Sequence, residues 1–276
     1  MNIAIIGLGL MGGSLALSLK DKEYVTSIVG YDHNEVHTQQ AMELKLVDDI
    51  VSFDHVKKCD VIFLAIPVNG VIAVLQEMID VDQATTIIDL GSTKEKIVAS
   101  VPDTLRKNFV AAHPMTGTEN FGPTAAIHDL YKDKVVVLCD LEDSGKKQSE
   151  TAKMIFKSLE MKKTFMRAKE HDRHAAFISH MPHAISYSIA NTVMRQENKH
   201  NILALAAGGY RSMSRLAKSS PYMWEDIFRQ NKTNLLEAIT IFEEELSQLK
   251  NAIENDDWER VHQEMTDGNK LHEILD

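Results

Sequence analysis

A histidine, a serine and a run of glycines define the chemistry this chain can attempt. His113 follows the apolar run NFVAA and opens the segment His-Pro-Met-Thr-Gly-Thr-Glu, residues 113–119. A neutral imidazole at a strand end is suited to accept the proton of an alcohol as hydride leaves the carbon that bears it. Pro114 restricts the backbone at His113, and Gly117 with two threonine hydroxyls makes the following loop adaptable. Ser92, just past the run TTIIDLG, stands where it can orient the same hydroxyl.

Hydride transfer needs an acceptor, and the N-terminal segment offers a place for one. Gly7-Leu8-Gly9-Leu10-Met11-Gly12 matches G-x-G-x-x-G directly after the β-branched run NIAII and opens a helical pattern. The first glycine permits the tight turn, the second admits a pyrophosphate to the backbone, and the third lets helix and strand pack closely. Asp32 closes the next apolar run, where a carboxylate accepts hydrogen bonds from ribose hydroxyls and repels a ribose phosphate. That favours NAD over NADP, and His33, Asn34 and Glu35 add no arginine or lysine. Ile66 and Pro67, at the end of CDVIFLAIP, are expected to border the cofactor. FAD proteins share this fingerprint, but a helical second half is more typical of nicotinamide enzymes.

These residues must be held by strands and helices, and the pattern supplies them. Short apolar runs (NIAII, TSIVGYD, CDVIFLAIP, TTIIDLG, FVAAHP, KVVVLCD, KKTFM) alternate with helical patterns up to about residue 165. The expected fold class is therefore α/β: a Rossmann-type, mostly parallel sheet over residues 1–167, its strands buried on both faces. Residues 168–276 show apolar spacing of helical period and are expected to form an all-helical domain for substrate binding and dimerisation. Pro182 predicts a kink or break near His180 to His183. A pattern from about Tyr222 to Ile253, with a stripe of leucine, isoleucine and phenylalanine, predicts one long helix that seeks a partner surface.

Composition narrows the function classes. Forty acidic against thirty basic residues give a net charge of -10, which disfavours nucleic acid and anionic membranes as partners. No apolar run reaches the roughly 20 residues of a membrane span, and the start lacks a signal peptide's features, so a cytoplasmic protein is expected. The two cysteines, Cys59 and Cys139, sit beside apolar runs and read as reduced structural thiols. His171, His174, His180 and His183 cluster in sequence. At about 100° per residue they point in separate directions on an unbroken helix, so no metal site is expected.

Five separated segments together resemble the prephenate dehydrogenase family: GLGLMGGSLA (7–16), DLGSTK (89–94), HPMTGTE (113–119), SHMPHA (179–184) and GGYRSMSRLAKSSPYMWEDIF (208–228). The resemblance implies NAD-dependent oxidative decarboxylation of prephenate to 4-hydroxyphenylpyruvate in tyrosine biosynthesis. It gives His113 the role of general base, Ser92 that of its orienting partner, and Arg215 that of the guanidinium holding the ring carboxylate. His183 and His180 would line the substrate site, His183 contacting the pyruvyl side chain. Gly208 and Trp224 would form its wall, and Arg211, Thr118 and Glu119 its polar entrance. A homodimer through the helical domains is implied as well.

Other readings remain at this point. Arogenate dehydrogenase shares the framework and differs in an amino group on the substrate side chain, which a nearby carboxylate such as Glu119 or Asp226 would favour. β-Hydroxyacid dehydrogenases also join a nucleotide domain to helices, but their catalytic lysine motif has no clear match. A nucleotide-sensing regulator would bind NAD without turnover.

Overall fold

The computed structural model describes residues 1–275. Eight strands form one sheet: β1 (Asn2–Ile6), β2 (Ser27–Tyr31), β3 (Asp49–Ile50), β4 (Val61–Leu64), β5 (Thr86–Asp89), β6 (Phe109–Pro114), β7 (Val135–Cys139) and β8 (Lys162–Met166). The order is β3-β2-β1-β4-β5-β6-β7-β8, and every neighbouring pair is parallel except β6 with β7. The strand order reverses between β1 and β4, so ligands belong beyond the carboxyl ends of these strands. The two-residue strand β3 carries too little apolar pattern to be visible in the sequence.

Helices follow in the connections: α1 (Leu10–Leu19), α2 (Glu35–Glu43), α3 (Phe53–Val56), α4 (Val68–Glu77), α5 (Glu95–Ala99) and α6 (Lys146–Ser158). Because successive strand residues face opposite ways, the sheet feeds two apolar layers. Ile3 and Ile5 enter one, with Leu15, Leu19, Phe63, Ile88 and Phe156; Ala4 and Ile6 enter the other, with Ile62, Leu64, Leu75, Ile87 and Phe109. Full burial of each such leucine, isoleucine or phenylalanine stabilises by about 1.5–3 kcal/mol. Cys59 and Cys139 are free and buried, and burial pushes the Cys139 thiol up to about 12. Neither thiol is poised as a nucleophile.

From Ala168 the chain is helical: α7 (Ala168–Ala175), α8 (Met181–Met194), α9 (Lys199–Ala204), α10 (Gly208–Ser214), α11 (Pro221–Gln230), α12 (Lys232–Glu254), α13 (Trp258–Asn269) and α14 (His272–Leu275). Between α7 and α8, residues Ala176–His180 form a π turn, so the chain stays helical, without a break, where Pro182 predicts a kink or break. The extra residue per turn accommodates a proline that offers no amide and crowds the preceding carbonyls. It also re-phases the downstream face by about one residue, or 100°.

The pattern from Tyr222 to Ile253 forms two helices, α11 and α12, interrupted at Asn231. The buried Asn231 spends its side-chain amide on Asp172 O and His180 Nδ1. Residues Met1–Asn231 make one compact unit, and those from Lys232 onward make a second, in which α12 packs on α13. Among the described residues no helix is long and apolar enough to cross a membrane.

Candidate active site

The nucleotide end is shaped by missing side chains. Gly7 adopts φ +91°, and a Cβ there would lie 2.4 Å from Ala65 O and 2.6 Å from Ile66 Cγ2. A Cβ on Gly12 would come within 1.9 Å of Gly7 O, so α1 meets β1 at a distance only glycine allows. Gly9 is different: a Cβ there would meet nothing within 4 Å, which leaves open space directly before α1. No side chain caps α1 at Gly9, and its first turn holds no acid, so its leading amides and positive end remain for an anion. Leu10 is buried, while Met11 offers its carbonyl to the Tyr131 hydroxyl at 2.7 Å.

Asp32 follows β2 and is already oriented. Its Oδ2 accepts from Leu8 N at 2.9 Å and its Oδ1 from Asn34 N at 2.9 Å, while His37 Nδ1 lies 3.3 Å from Oδ2. Ile66 and Pro67 follow β4 and lead into α4, with Ile66 against Gly7. This open, amide-rich cradle with a fixed carboxylate fits a dinucleotide.

The reaction end centres on His113, near the carboxyl end of β6 and 9% exposed. Its Nδ1 lies 2.8 Å from His171 Nε2, and His171 Nδ1 lies 2.8 Å from Asp172 Oδ1. The carboxylate also accepts Lys94 N at 2.7 Å and Glu95 N at 2.9 Å. A carboxylate so engaged accepts only, so His171 donates from Nδ1 and accepts at Nε2. His113 must then donate from Nδ1, which leaves its Nε2 lone pair for a substrate. Burial first, then the positive charge that His171, Lys94 and His180 bear when protonated, holds His113 well below the usual histidine range, in its neutral form.

Ser92 lies half-buried in the turn between β5 and α5, closed by two residues the sequence reading did not single out. Lys94, fully buried, donates from Nζ to Asp89 and, at 2.8 Å, to Ala112 O. Burial pushes the Asp89 carboxyl up, and Lys94 and the Gly91 amide pull it back. His171, Asp172, Lys94, Asp89 and Asn231 were all missed as site residues. The segment DLGSTK, conspicuous only through family resemblance, was the signal that could have led to two of them.

A second wall comes from the helices. His183 stacks on Trp224 with ring centroids 3.5 Å apart and planes at 21°. His180 meets the same indole edge-on at 6.0 Å. Because Asn231 donates to His180 Nδ1 at 3.0 Å, His180 carries its proton on Nε2. That atom and Trp224 Nε1 are buried without hydrogen-bond partners among the described residues, two unspent donors. Burial lowers His180 to about 4. His183 is lowered by burial and by Arg215, against the Ser179 carbonyl, to which its Nδ1 donates at 2.9 Å.

Arg215 begins the 3-10 turn after α10 and is half-exposed, its Nη1 3.3 Å from Glu119 Oε2. It thereby joins the helical wall to the loop after His113. Thr118 accepts Asn120 N at 3.2 Å within that loop. Asp226 accepts from Asn69 and Gln230, both at Oδ1. Gly208 opens α10 on the surface. Arg211 is exposed and donates to Ala206 O at 3.2 Å, a contact that does not bring it to His113 or Arg215. Among the described residues no group of three histidines, cysteines or carboxylates could hold a metal ion.

Comparison with known proteins supplies the family. Residues 15–164 match the model for the prephenate dehydrogenase nucleotide-binding domain, and residues 167–267 that for the prephenate dehydrogenase dimerization domain. The chain is 31% identical to prephenate dehydrogenase of Bacillus subtilis (strain 168), covering 94% of this chain and 72% of that protein. It is 30% identical to cyclohexadienyl dehydrogenase of Zymomonas mobilis, covering 99% and 96%. The crystal structure of prephenate dehydrogenase from A. aeolicus, in complex with hydroxyphenyl propionate and NAD+, superposes with a TM-score of 0.92 at 30% identity, covering 100% of this chain and 98% of that one. With both of its parts matched in order and its fold reproduced end to end, the chain belongs to the prephenate dehydrogenase family.

Proposed function

We propose that this protein is an NAD-dependent prephenate dehydrogenase that converts prephenate to 4-hydroxyphenylpyruvate, carbon dioxide and NADH. The observation that carries the reading is the tautomer lock on His113, whose Nε2 lone pair is left for a substrate.

Gly7, Gly9, Gly12 and Asp32 would hold NAD, which would supply the hydride acceptor. His113 Nε2 accepts the proton of the ring hydroxyl, with Ser92 orienting that hydroxyl from the adjoining turn. The planar guanidinium of Arg215 holds the ring carboxylate, exchanging its bond to Glu119 for one to substrate. Loss of that carboxylate as carbon dioxide leaves its bonding pair to aromatise the ring, and His113 returns its proton to the phenolate oxygen. His183 and Trp224 flank the pyruvyl side chain, with His180 packed edge-on against the same indole. Residues 168–276 serve substrate binding and dimerisation. The exposed Leu236, Ile241, Leu246 and Ile253 of α12 favour a homodimer, acting in the cytoplasm.

One observation favours arogenate as a second substrate. A neutral His183 that donates from Nδ1 presents a lone pair at Nε2, which suits an ammonium better than a keto oxygen. Against it, Asp226 is tied through Oδ1 to Asn69 and Gln230, and Glu119 is paired with Arg215 rather than with His183. The test is NADH formation with prephenate and with arogenate, each tried with NAD and NADP. The expected order is prephenate first and NAD first; equal or better turnover of arogenate overturns the substrate assignment, and no turnover of either overturns the enzyme.

A further inference from the structure

The Lys94–Asp89 pair is an unexpected thing to find at the centre of a sheet. Both side chains are fully buried, and the ammonium also donates to Ala112 O at 2.8 Å. Replacing a buried ion pair by apolar side chains of similar size is often neutral or stabilising, so stability alone does not explain it. Room is kept for it by Gly91, where a Cβ would come 3.0 Å from Asp89 Oδ1 and 3.7 Å from Lys94 Nζ.

Two routes run from Lys94 to His113. The side chain grips the carbonyl of Ala112, the residue bonded to His113. The main-chain amide donates to Asp172 Oδ1 at 2.7 Å, and that oxygen orients His171 against His113 Nδ1. Asp89 closes the turn from the other end, accepting Gly91 N at 2.7 Å, with Ser92 inside the loop so formed. One residue thus ties β5, β6 and α7 together at the point where base and orienting serine must meet.

We infer that Lys94, held by Asp89, is a positioning residue for the reaction, fixing the His113 imidazole and the Ser92 loop in one geometry and keeping a positive charge behind the base. This rests on the reading of His113 as general base. The charged and titratable groups around His113 are His171 and Asp172 of α7, His180 of the π turn, and Asp89 and Lys94 themselves. Among them Lys94 brings an ammonium close to the ring, and its charge disfavours a second positive charge on the imidazole.

The test uses two variants of the full chain, Lys94→Gln, which keeps a donor for Ala112 O without charge, and Asp89→Asn/Lys94→Met, which replaces the ion pair by a neutral one. Wild-type turnover of prephenate or arogenate is measured first, and its absence defeats the enzyme assignment rather than this inference. With an active wild type, at least one variant is expected to melt cooperatively and bind NAD with unchanged Kd. Its kcat should fall on the order of 10²-fold, with KM changed far less. The acid limb of its kcat/KM profile should move to higher pH, because the imidazole loses the charge that opposed its protonation. A folded variant with kcat near wild type, or with lowered kcat and an unmoved acid limb, overturns the inference. Failure of both variants to fold would make the pair a folding element and overturn it too.

Discussion

His113 and His171 share a 2.8 Å hydrogen bond between ring nitrogens, and Asp172 decides which ring donates. Asp172 is 2% exposed and accepts two main-chain amides, so it acts as an anion that receives the His171 proton and never gives one. In Asp172→Asn the side-chain amide can donate to His171 Nδ1, reversing the tautomer of both imidazoles and moving a proton onto His113 Nε2. Turnover is expected to fall about 10²-fold or more, with NAD affinity retained. Steady-state kinetics beside a calorimetric titration with NAD check this, and an unchanged kcat would remove the tautomer lock from the mechanism.

The glycines of the nucleotide turn predict a separation of folding from binding. Gly9→Ala adds a methyl group to space where no protein atom lies within 4 Å, at a residue with an ordinary φ of -70°. Its stability cost is at most about 1 kcal/mol, while NAD binding weakens because the pyrophosphate needs that space. Gly12→Ala places a methyl group 1.9 Å from Gly7 O and must push α1 away from β1, lowering both Tm and binding. Thermal melts and NAD titrations of both variants decide this; equal NAD affinity in Gly9→Ala and wild type would remove Gly9 from the cofactor site.

The contrast between those glycines and Lys94 shows how far one dimension reaches. Gly7 to Gly12, Asp32 and His113 are legible because each stands just past a short apolar run, and a parallel sheet collects such positions along one edge. Lys94 and Asp89 look like ordinary polar residues flanking a turn. Their complete burial is created by β6 and α7, which arrive 18 and 78 residues later in the bonds to Ala112 and Asp172. The π turn is equally silent in the pattern, since apolar spacing through AAFISHMPHAISYSI fits a regular helix. The four clustered histidines were therefore placed on a face geometry the chain does not have. The interruption at Asn231 is of the same kind: its side chain answers to Asp172 and His180, not to its sequence neighbours.

Arg215 predicts a loss of substrate binding without a loss of fold. Its side chain is 54% exposed, and its Glu119 partner lies on the adjoining loop, so Arg215→Ala should leave Tm unchanged within error. Arg215→Lys keeps the charge and loses the planar fork that grips a carboxylate with two hydrogen bonds. The kcat/KM for prephenate is expected to fall roughly 10- to 100-fold in Arg215→Lys and further in Arg215→Ala, while KM for NAD stays put. A wild-type kcat/KM in Arg215→Ala would move the carboxylate site elsewhere.

Acid should loosen the molecule before its paired surface carboxylates are protonated. His113, His180 and His183 all have their folded pKa lowered by burial, His180 to about 4 from an ordinary 6.5. The unfolded chain therefore binds more protons than the native one between those two values, and stability rises with pH across the window. It is fully present above pH 6.5 and is lost as pH falls toward the folded pKa of each ring. His180 alone accounts for about 3 kcal/mol by pH 4. Asp80, Asp267 and Glu119 have pKa values lowered from 3.8, 3.8 and 4.5, so their contribution is lost only at still lower pH. Melting curves taken between pH 7.5 and 4.5 should show Tm falling throughout the lower half of that range. A flat Tm there would mean that the three rings accept protons without disturbing the fold, and the buried, neutral state assigned to His113 would fall with it.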